Sequence, residues 1–508
     1  MADRGIYDLL VIGGGINGAG IARDAAGRGL SVFLAEQGDL AEFTSSASTK
    51  LIHGGIRYLE NYEFRLVREA LMERERLLAI APHIIWPLRF VLPHEPGLRP
   101  AWMIRIGLFL YDHLARLKTL PGSQGVNLRT SPVGMPLRDA LTKGFLYSDC
   151  AVDDSRLVVF NAIAAEENGA QIRTRTRFVE AHREDDVWVA TTEDLASGKR
   201  ETVKARILIN AAGPWVSELL SEKLGIHSRA AVRLVKGSHI VVPRLYEGEQ
   251  AYIFQNPDRR IVFAIPYREK FTLIGTTDVP YEDEPHAVGI SKDETAYLCE
   301  SVNHYFKRGI TPADVVWTYA GVRPLYDDAA SNASVVTRDY VLDIDASSGE
   351  PPVMSIFGGK ITTYRRLAEH ALEKLEPWLP GLKPSWTAKV PLPGGDLPDG
   401  DFDRFVADLI KRKPFLPADM AHRLARAYGT HVDMILGEAR ALNDLGRDFG
   451  GGLTQAEVDY LVDYEWARTS ADILWRRSKL GLVAPKETAA ALDDYLDIKS
   501  TALRRKVN

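Results

Sequence analysis

The sequence predicts an α/β protein: a unit built on a parallel sheet, a mixed α+β domain inserted between its pieces, and a helical C-terminal domain. Three observations point there. Strand-like and helical runs alternate up to Pro391, short β-rich runs crowd the middle, and helical periodicity takes over after Gly400. At 508 residues the chain exceeds what one hydrophobic core usually serves, so about two or three domains are expected.

The first strand is Tyr7 to Ile12, followed by a helix-compatible run from Ile16 and a second strand from Ser31 to Ala35. Later runs, RILINAAG at 206–213 and VMSIFGG at 353–359, continue the parallel pattern. Between them GSHIVVP, RIVFAIP and FTLIGTTD are bounded by turn residues and read as an inserted sheet. The segment PLPGGDLPDG at 391–400 breaks any regular element. Beyond it Thr454 and Glu457 form a capping-box pair ahead of Val458, Leu461 and Val462.

Gly13, Gly15 and Gly18 follow the first strand and open the helix as G-x-G-x-x-G. Gly13 lets the chain turn, Gly15 admits a pyrophosphate to the backbone, and Gly18 lets helix and sheet approach. The helix N-terminus then offers N–H groups to phosphate. Glu36 closes the second strand, where a carboxylate takes a ribose hydroxyl pair. This context makes the motif a Rossmann dinucleotide site.

Composition excludes several classes. Formal net charge is -5, with no basic domain, so no nucleic-acid partner is expected. Two cysteines, Cys150 and Cys299, lie far apart and read as buried inert thiols; no metal site is expected. A strand begins by Tyr7, leaving no room for a signal peptide, and no apolar run is long enough to span a membrane.

The segment 45–76, SSASTKLIHGGIRYLENYEFRLVREALMERER, closely resembles the signature of FAD-dependent glycerol-3-phosphate dehydrogenases. YSDCAVDDSRLV, RLVKGSHIVVP, IGTTD, WTYAGVRPL and SIFGGKITTY match as well, and the resemblance covers nearly the whole chain. It is nearest to the bacterial, respiratory, aerobic type, without a calcium-binding EF-hand extension. The resemblance implies a glutathione-reductase-like FAD-binding Rossmann domain with an inserted substrate domain and a C-terminal helical cap. The expected division is 1–66, 150–218 and 337–388 for FAD, 67–149 and 219–336 for substrate, and 389–508 for the cap. It also implies oxidation of sn-glycerol 3-phosphate to dihydroxyacetone phosphate, hydride transfer to FAD and reoxidation by a membrane quinone. A glycerol-3-phosphate oxidase using oxygen is the alternative. A homodimer at the cytoplasmic face of the bacterial inner membrane, peripheral or monotopic, is expected.

For the cofactor, Ala212 and Gly213 end ARILINAAGPW, and Gly359, Lys360, Ile361 and Thr362 lie in SIFGGKITTY, resembling segments that close over FAD and face its flavin. Ser45, Ser46, Ser48, Thr49 and Lys50 form a polar run suited to pyrophosphate. The substrate is a phosphate ester needing fixed cations, and Arg57, Arg323 and Lys360 sit beside glycine or proline in loops. Tyr58 offers a hydroxyl, and Thr277 and Asp278 bind substrate or support the site. Alcohol oxidation needs a proton acceptor with a pKa near neutrality; His239 is the first candidate and His53 the second. Arg323 suits an alkoxide stabiliser better than a base.

From Pro100 onward, Trp102, Ile106, Phe109, Leu110 and Leu117 share one helical stripe, with Arg105 and Arg116 on another face. The pattern fits an interfacial helix on an anionic membrane surface, or a buried domain helix.

Overall fold

The computed structural model describes residues 5–95, 99–115, 119–226, 232–258, 260–327, 339–346 and 349–507. Two sheets organise them. In the first, Val353–Phe357, Arg200–Asn210, β1 (Ile6–Ile12), β2 (Val32–Ala35) and Gln171–Arg173 run parallel in that order. Strand Val341–Asp345 adds an antiparallel edge. Helices α1 (Ile16–Gly27), Asp154–Glu167 and Tyr364–Leu375 cover one face, while a hairpin carrying Phe178 and Trp188 covers the other. Leu9, Leu10 and Val11 are therefore buried on both faces, as parallel strands require.

Among the described residues the second sheet has ten strands, with Val232–Pro243 between Phe271–Gly275 and Trp317–Tyr326. Helix Lys292–Tyr305 packs on one face. Helices Phe64–Ile80 and Ala101–His113 pack on the other. Ser291 and Glu294 start helix Lys292–Tyr305 with a reciprocal capping box.

The sheets divide the chain differently from the expected boundaries at 66 and 150. Leu51–Ile52 pairs with Ala151 and Cys150, so both stretches belong to the second sheet, where strand Lys143–Val152 runs past 150. Helix Phe64–Ile80 puts Val67 and Leu71 in the core under the second sheet and Leu77 and Ile80 in the core under the first. One continuous helix serves two cores, which period alone does not reveal.

The C-terminal helices enclose a core of their own. Thr454 caps helix Gln455–Tyr464 through the Glu457 N–H, but the Glu457 carboxylate accepts from Arg423 and Tyr428 instead of returning to the cap. Buried ion pairs dock this domain: Arg156 with Glu465, and Arg477 bidentate to Asp39 at 2.7 and 2.8 Å. Such pairs add little net stability when intact, yet removing one partner costs about 3–5 kcal/mol, so they fix how the domain seats.

Candidate active site

The glycine turn between β1 and α1 is sterically obligatory. Gly13 has φ +111°, and a Cβ there or at Gly18 would collide with backbone carbonyls of Ala211 and Gly13 respectively. Above this turn lies a cleft lined by Gly13, Gly15, Asn17, Glu36, Ser45, Ala212, Gly213, Trp215, His286 and Gly359. It opens at the strand ends, where doubly wound sheets bind dinucleotides. Gly14 and Gly38 donate to the Glu36 carboxylate at 2.6 and 2.7 Å, fixing its direction. Burial nonetheless pushes its pKa up to about 7, against those two N–H groups and with help from Glu42 and Asp39. Ser45 accepts from the Ile16 N–H at 3.0 Å, satisfying one donor at the α1 N-terminus.

The cleft fits a dinucleotide. Asn17 Oδ1 and Trp215 Nε1 are buried there without a hydrogen-bond partner among the described residues, and buried polar atoms normally have one. Asn17, Phe43, Trp215 and His286 escaped the sequence reading. Asn17 lies inside the glycine motif, between Gly15 and Gly18, and that placement is the one signal the sequence offers. The aromatic trio joins three distant segments: His286 lies 5.2 Å from Phe43 and 4.5 Å from Trp215.

The rest of the expected cofactor set does not line this cleft. Ser46 donates to the Phe43 carbonyl. Ser48 and Lys50 both engage buried Asp154, at 2.8 Å each. Burial pulls the Lys50 pKa down, but Asp154 outweighs it, leaving the ammonium more firmly charged. Thr362 accepts from the His53 N–H at 3.2 Å. Lys360 Nζ lies 3.6 Å from the centre of the Tyr58 ring, a cation–π contact, with Ile361 next in chain opening a short helical turn.

Beside these stands the second sheet. His239 pairs with Gly275 on one side and Tyr319 on the other. Its Nε2 lies 3.0 Å from Thr49 Oγ1. Its Nδ1 is buried with no partner among the described residues. Burial, then Arg323 and Lys50, hold its pKa well below the ordinary histidine value. It is a neutral imidazole, weaker as a base than the near-neutral pKa expected from the sequence. Arg323 pairs with Asp278 and donates to Thr276 Oγ1 at 2.9 Å and the Thr277 carbonyl at 3.2 Å. Thr277 is wholly buried: its hydroxyl donates to Glu294 and accepts from the Ser238 N–H. Both hydrogen-bonding roles of that hydroxyl are thus taken within the fold. Gly358 approaches the Pro324 carbonyl, which brings the Arg323 strand against the 358–362 segment. Arg57, half-buried in the turn Ile56–Asn61, has no ion pair among the described residues.

A family model for FAD dependent oxidoreductases matches residues 8–365, and one for the C-terminal domain of alpha-glycerophosphate oxidase matches 385–506. The chain is 56% identical to a glycerol-3-phosphate dehydrogenase of Pseudomonas aeruginosa, covering 97% of this chain and 95% of the relative. It belongs to the FAD-dependent glycerol-3-phosphate dehydrogenase family. The aerobic glycerol-3-phosphate dehydrogenase of Escherichia coli is 54% identical, with 96% and 97% covered. A D-erythritol 1-phosphate dehydrogenase of Brucella abortus is 50% identical, with 98% and 99% covered. Among solved structures, the glycerol-3-phosphate dehydrogenase of Bacillus halodurans complexed with FAD is similar at a TM-score of 0.75 and 27% identity, covering 98% and 95%. This flavoenzyme therefore holds FAD, with its two-sheet body and helical C-terminal domain both shared with the family.

Proposed function

We propose that the enzyme oxidises sn-glycerol 3-phosphate to dihydroxyacetone phosphate and passes the electrons to a membrane quinone. Bound FAD supplies the two-electron acceptor for the hydrogen leaving C2. Arg57, with no ion pair among the described residues, gives the first cation for the phosphate. Arg323, partly balanced by Asp278, and Lys360, braced on Tyr58, complete the clamp. His239, neutral through burial, takes the C2 hydroxyl proton, and Arg323 steadies the developing alkoxide. His53, whose N–H meets Thr362, is the second candidate acceptor. What supports this reading is that His239, held by Thr49, and Arg323, paired with Asp278, lie on adjacent strands, and that Gly358 approaches the Pro324 carbonyl next to Arg323.

Helix Ala101–His113 supports the membrane part. Trp102, Ile106 and Phe109 are 63%, 51% and 52% exposed, with Met103 beside them, while Leu108 and Tyr111 are buried on the opposite face. Leu110 is half-buried, and Arg116 and Leu117 lie outside the described residues. Among the described residues no helix is long and apolar enough to cross a membrane. An apolar outer face on a short helix suits shallow insertion into an anionic bilayer at the inner face of the bacterial inner membrane. A homodimer completes the proposed assembly.

The deciding test is anaerobic bleaching of the flavin by glycerol 3-phosphate, followed by reoxidation with a soluble quinone. Faster bleaching by erythritol 1-phosphate would reassign the substrate. Rapid reoxidation by oxygen alone, with none by quinone, would make the enzyme an oxidase.

A further inference from the structure

A continuous chain of ring contacts, two stacked and one tilted by 43°, joins the C-terminal domain to His239. The imidazole lies 4.7 Å from the Tyr319 ring at an interplanar angle of 14°. Tyr319 lies 5.1 Å from Trp317, two residues away on the same strand. Trp317 lies 4.8 Å from Trp475 at 23°. Trp475 belongs to the C-terminal domain, in the helical segment Asp472–Arg477. A Cβ at Gly481 would sit 2.5 Å from the Trp475 ring, so that glycine makes room for it.

The same segment reaches the histidine by a polar route. Lys479 Nζ donates to Ser155 Oγ at 2.6 Å, and Ser155 donates to the Arg476 carbonyl at 2.7 Å. Neighbouring Asp154 holds Lys50 and Ser48, which flank Thr49, the hydroxyl against His239 Nε2. Tyr319 also donates to the Ser48 carbonyl at 2.9 Å, closing the two routes on each other. Arg476 and Arg477 anchor the segment on Asp39, just beyond the Glu36 that lines the cofactor cleft.

We propose that Trp475 is a positioning residue for substrate oxidation: it presses Trp317 and Tyr319 together so that the His239 ring is held in one plane against Thr49. This rests on His239 as the proton acceptor. The charged groups facing the imidazole are Arg323 from its own sheet and Lys50 from the 44–50 segment, with the Tyr319 phenol on its face. Stacked rings prefer fixed separations, and removing one leaves its neighbour free to tilt. A tilt of Tyr319 admits water to the His239 pocket and returns the imidazole toward its ordinary titration range.

The test uses purified, FAD-loaded enzyme and anaerobic stopped-flow reduction by glycerol 3-phosphate across pH 5.5–9. In Trp475→Ala the reduction rate falls about 10-fold with KM and FAD content kept, and the acid limb of its pH profile moves up by about one unit, the scale of a modest burial shift. Trp475→Phe recovers most of the rate. Trp317→Leu, which breaks the stack from within the sheet, reproduces the Ala phenotype and substitutes for it if that variant fails to fold. His239→Gln is run alongside. If His239→Gln reduces normally, the underlying reading falls. If His239→Gln is crippled but Trp475→Ala and Trp317→Leu keep the wild-type rate and pH profile, the positioning role falls alone. A loss of thermal stability with an unmoved pH profile also overturns it, since a purely structural tryptophan gives that result.

Discussion

Thr49 Oγ1 lies 3.0 Å from His239 Nε2, tying a polar loop that follows the Rossmann unit to strand Val232–Pro243 of the second sheet. The contact spans 190 residues of chain. It holds the imidazole by one nitrogen and leaves Nδ1 buried without a partner among the described residues.

Replacing His239 with alanine removes the proposed acceptor. The rate of flavin reduction should fall by about 100- to 10,000-fold with substrate affinity kept. The defect should shrink as pH rises, because hydroxide partly replaces the lost base. A normal reduction rate in stopped flow would move the role to His53.

The cations predict a different pattern. Arg57→Ala, Arg323→Ala and Lys360→Ala each remove a charge-assisted contact contributing roughly 1.5–3 kcal/mol, so kcat/KM should drop by about 10- to 150-fold. Turnover of glycerol, which lacks the phosphate, should change far less. Arg323→Ala should also lower thermal stability, because its pair with Asp278 and its hydrogen bonds to Thr276 and Thr277 are lost, whereas Arg57→Ala should leave stability nearly unchanged. Equal losses on both substrates would rule out a phosphate clamp.

Glu36 gives cofactor binding a pH dependence. Its carboxyl titrates near 7 because burial outweighs the Gly38 and Gly14 N–H groups. The ionised form accepts ribose hydroxyls, so FAD should dissociate faster at pH 6 than at pH 8. In Glu36→Gln, release should be faster throughout and flat with pH. Fluorescence of released FAD measures both.

Two buried histidines predict acid sensitivity. His83 and His239 are both neutral in the fold, with pKa values well below the ordinary one, chiefly through burial. Their folded values lie below the unfolded value of about 6.5. Stability is therefore full above pH 6.5 and is lost as pH falls, at about 1.4 kcal/mol per pH unit for each histidine until its folded pKa is reached. His83 has neither ring nitrogen hydrogen-bonded among the described residues. His83→Leu should flatten the denaturation profile between pH 6.5 and 5; an unchanged slope would refute its share.

On the membrane side, Trp102→Ser with Phe109→Ser removes two rings exposed on helix Ala101–His113. Binding to anionic vesicles and quinone turnover should both fall, with flavin reduction by substrate nearly intact. Unchanged sedimentation with vesicles would show that this face serves another purpose.

The sequence by itself determined the Rossmann unit. Gly13 and Gly18 have positions that tolerate no side chain, and β1 is apolar on both faces, so local sterics and burial left one reading. The Thr454 cap, the strand runs of the inserted sheet and the apolar stripe of helix Ala101–His113 were legible for the same reason: each depends on neighbours within a few residues, whereas the turn of Glu457 to Arg423 and the outward direction of the stripe do not. Only the tertiary structure decided which side chains meet. Ser48 and Lys50 turn to Asp154, more than a hundred positions away, because a buried lysine needs a carboxylate. Thr277 turns inward to Glu294. Trp475 reaches Trp317, on the strand beside that of His239, because the buried pairs of Arg476 and Arg477 with Asp39 seat its domain there. A periodic pattern specifies a face, but the partner of that face is set by long-range packing and by the cost of leaving buried charge unpaired.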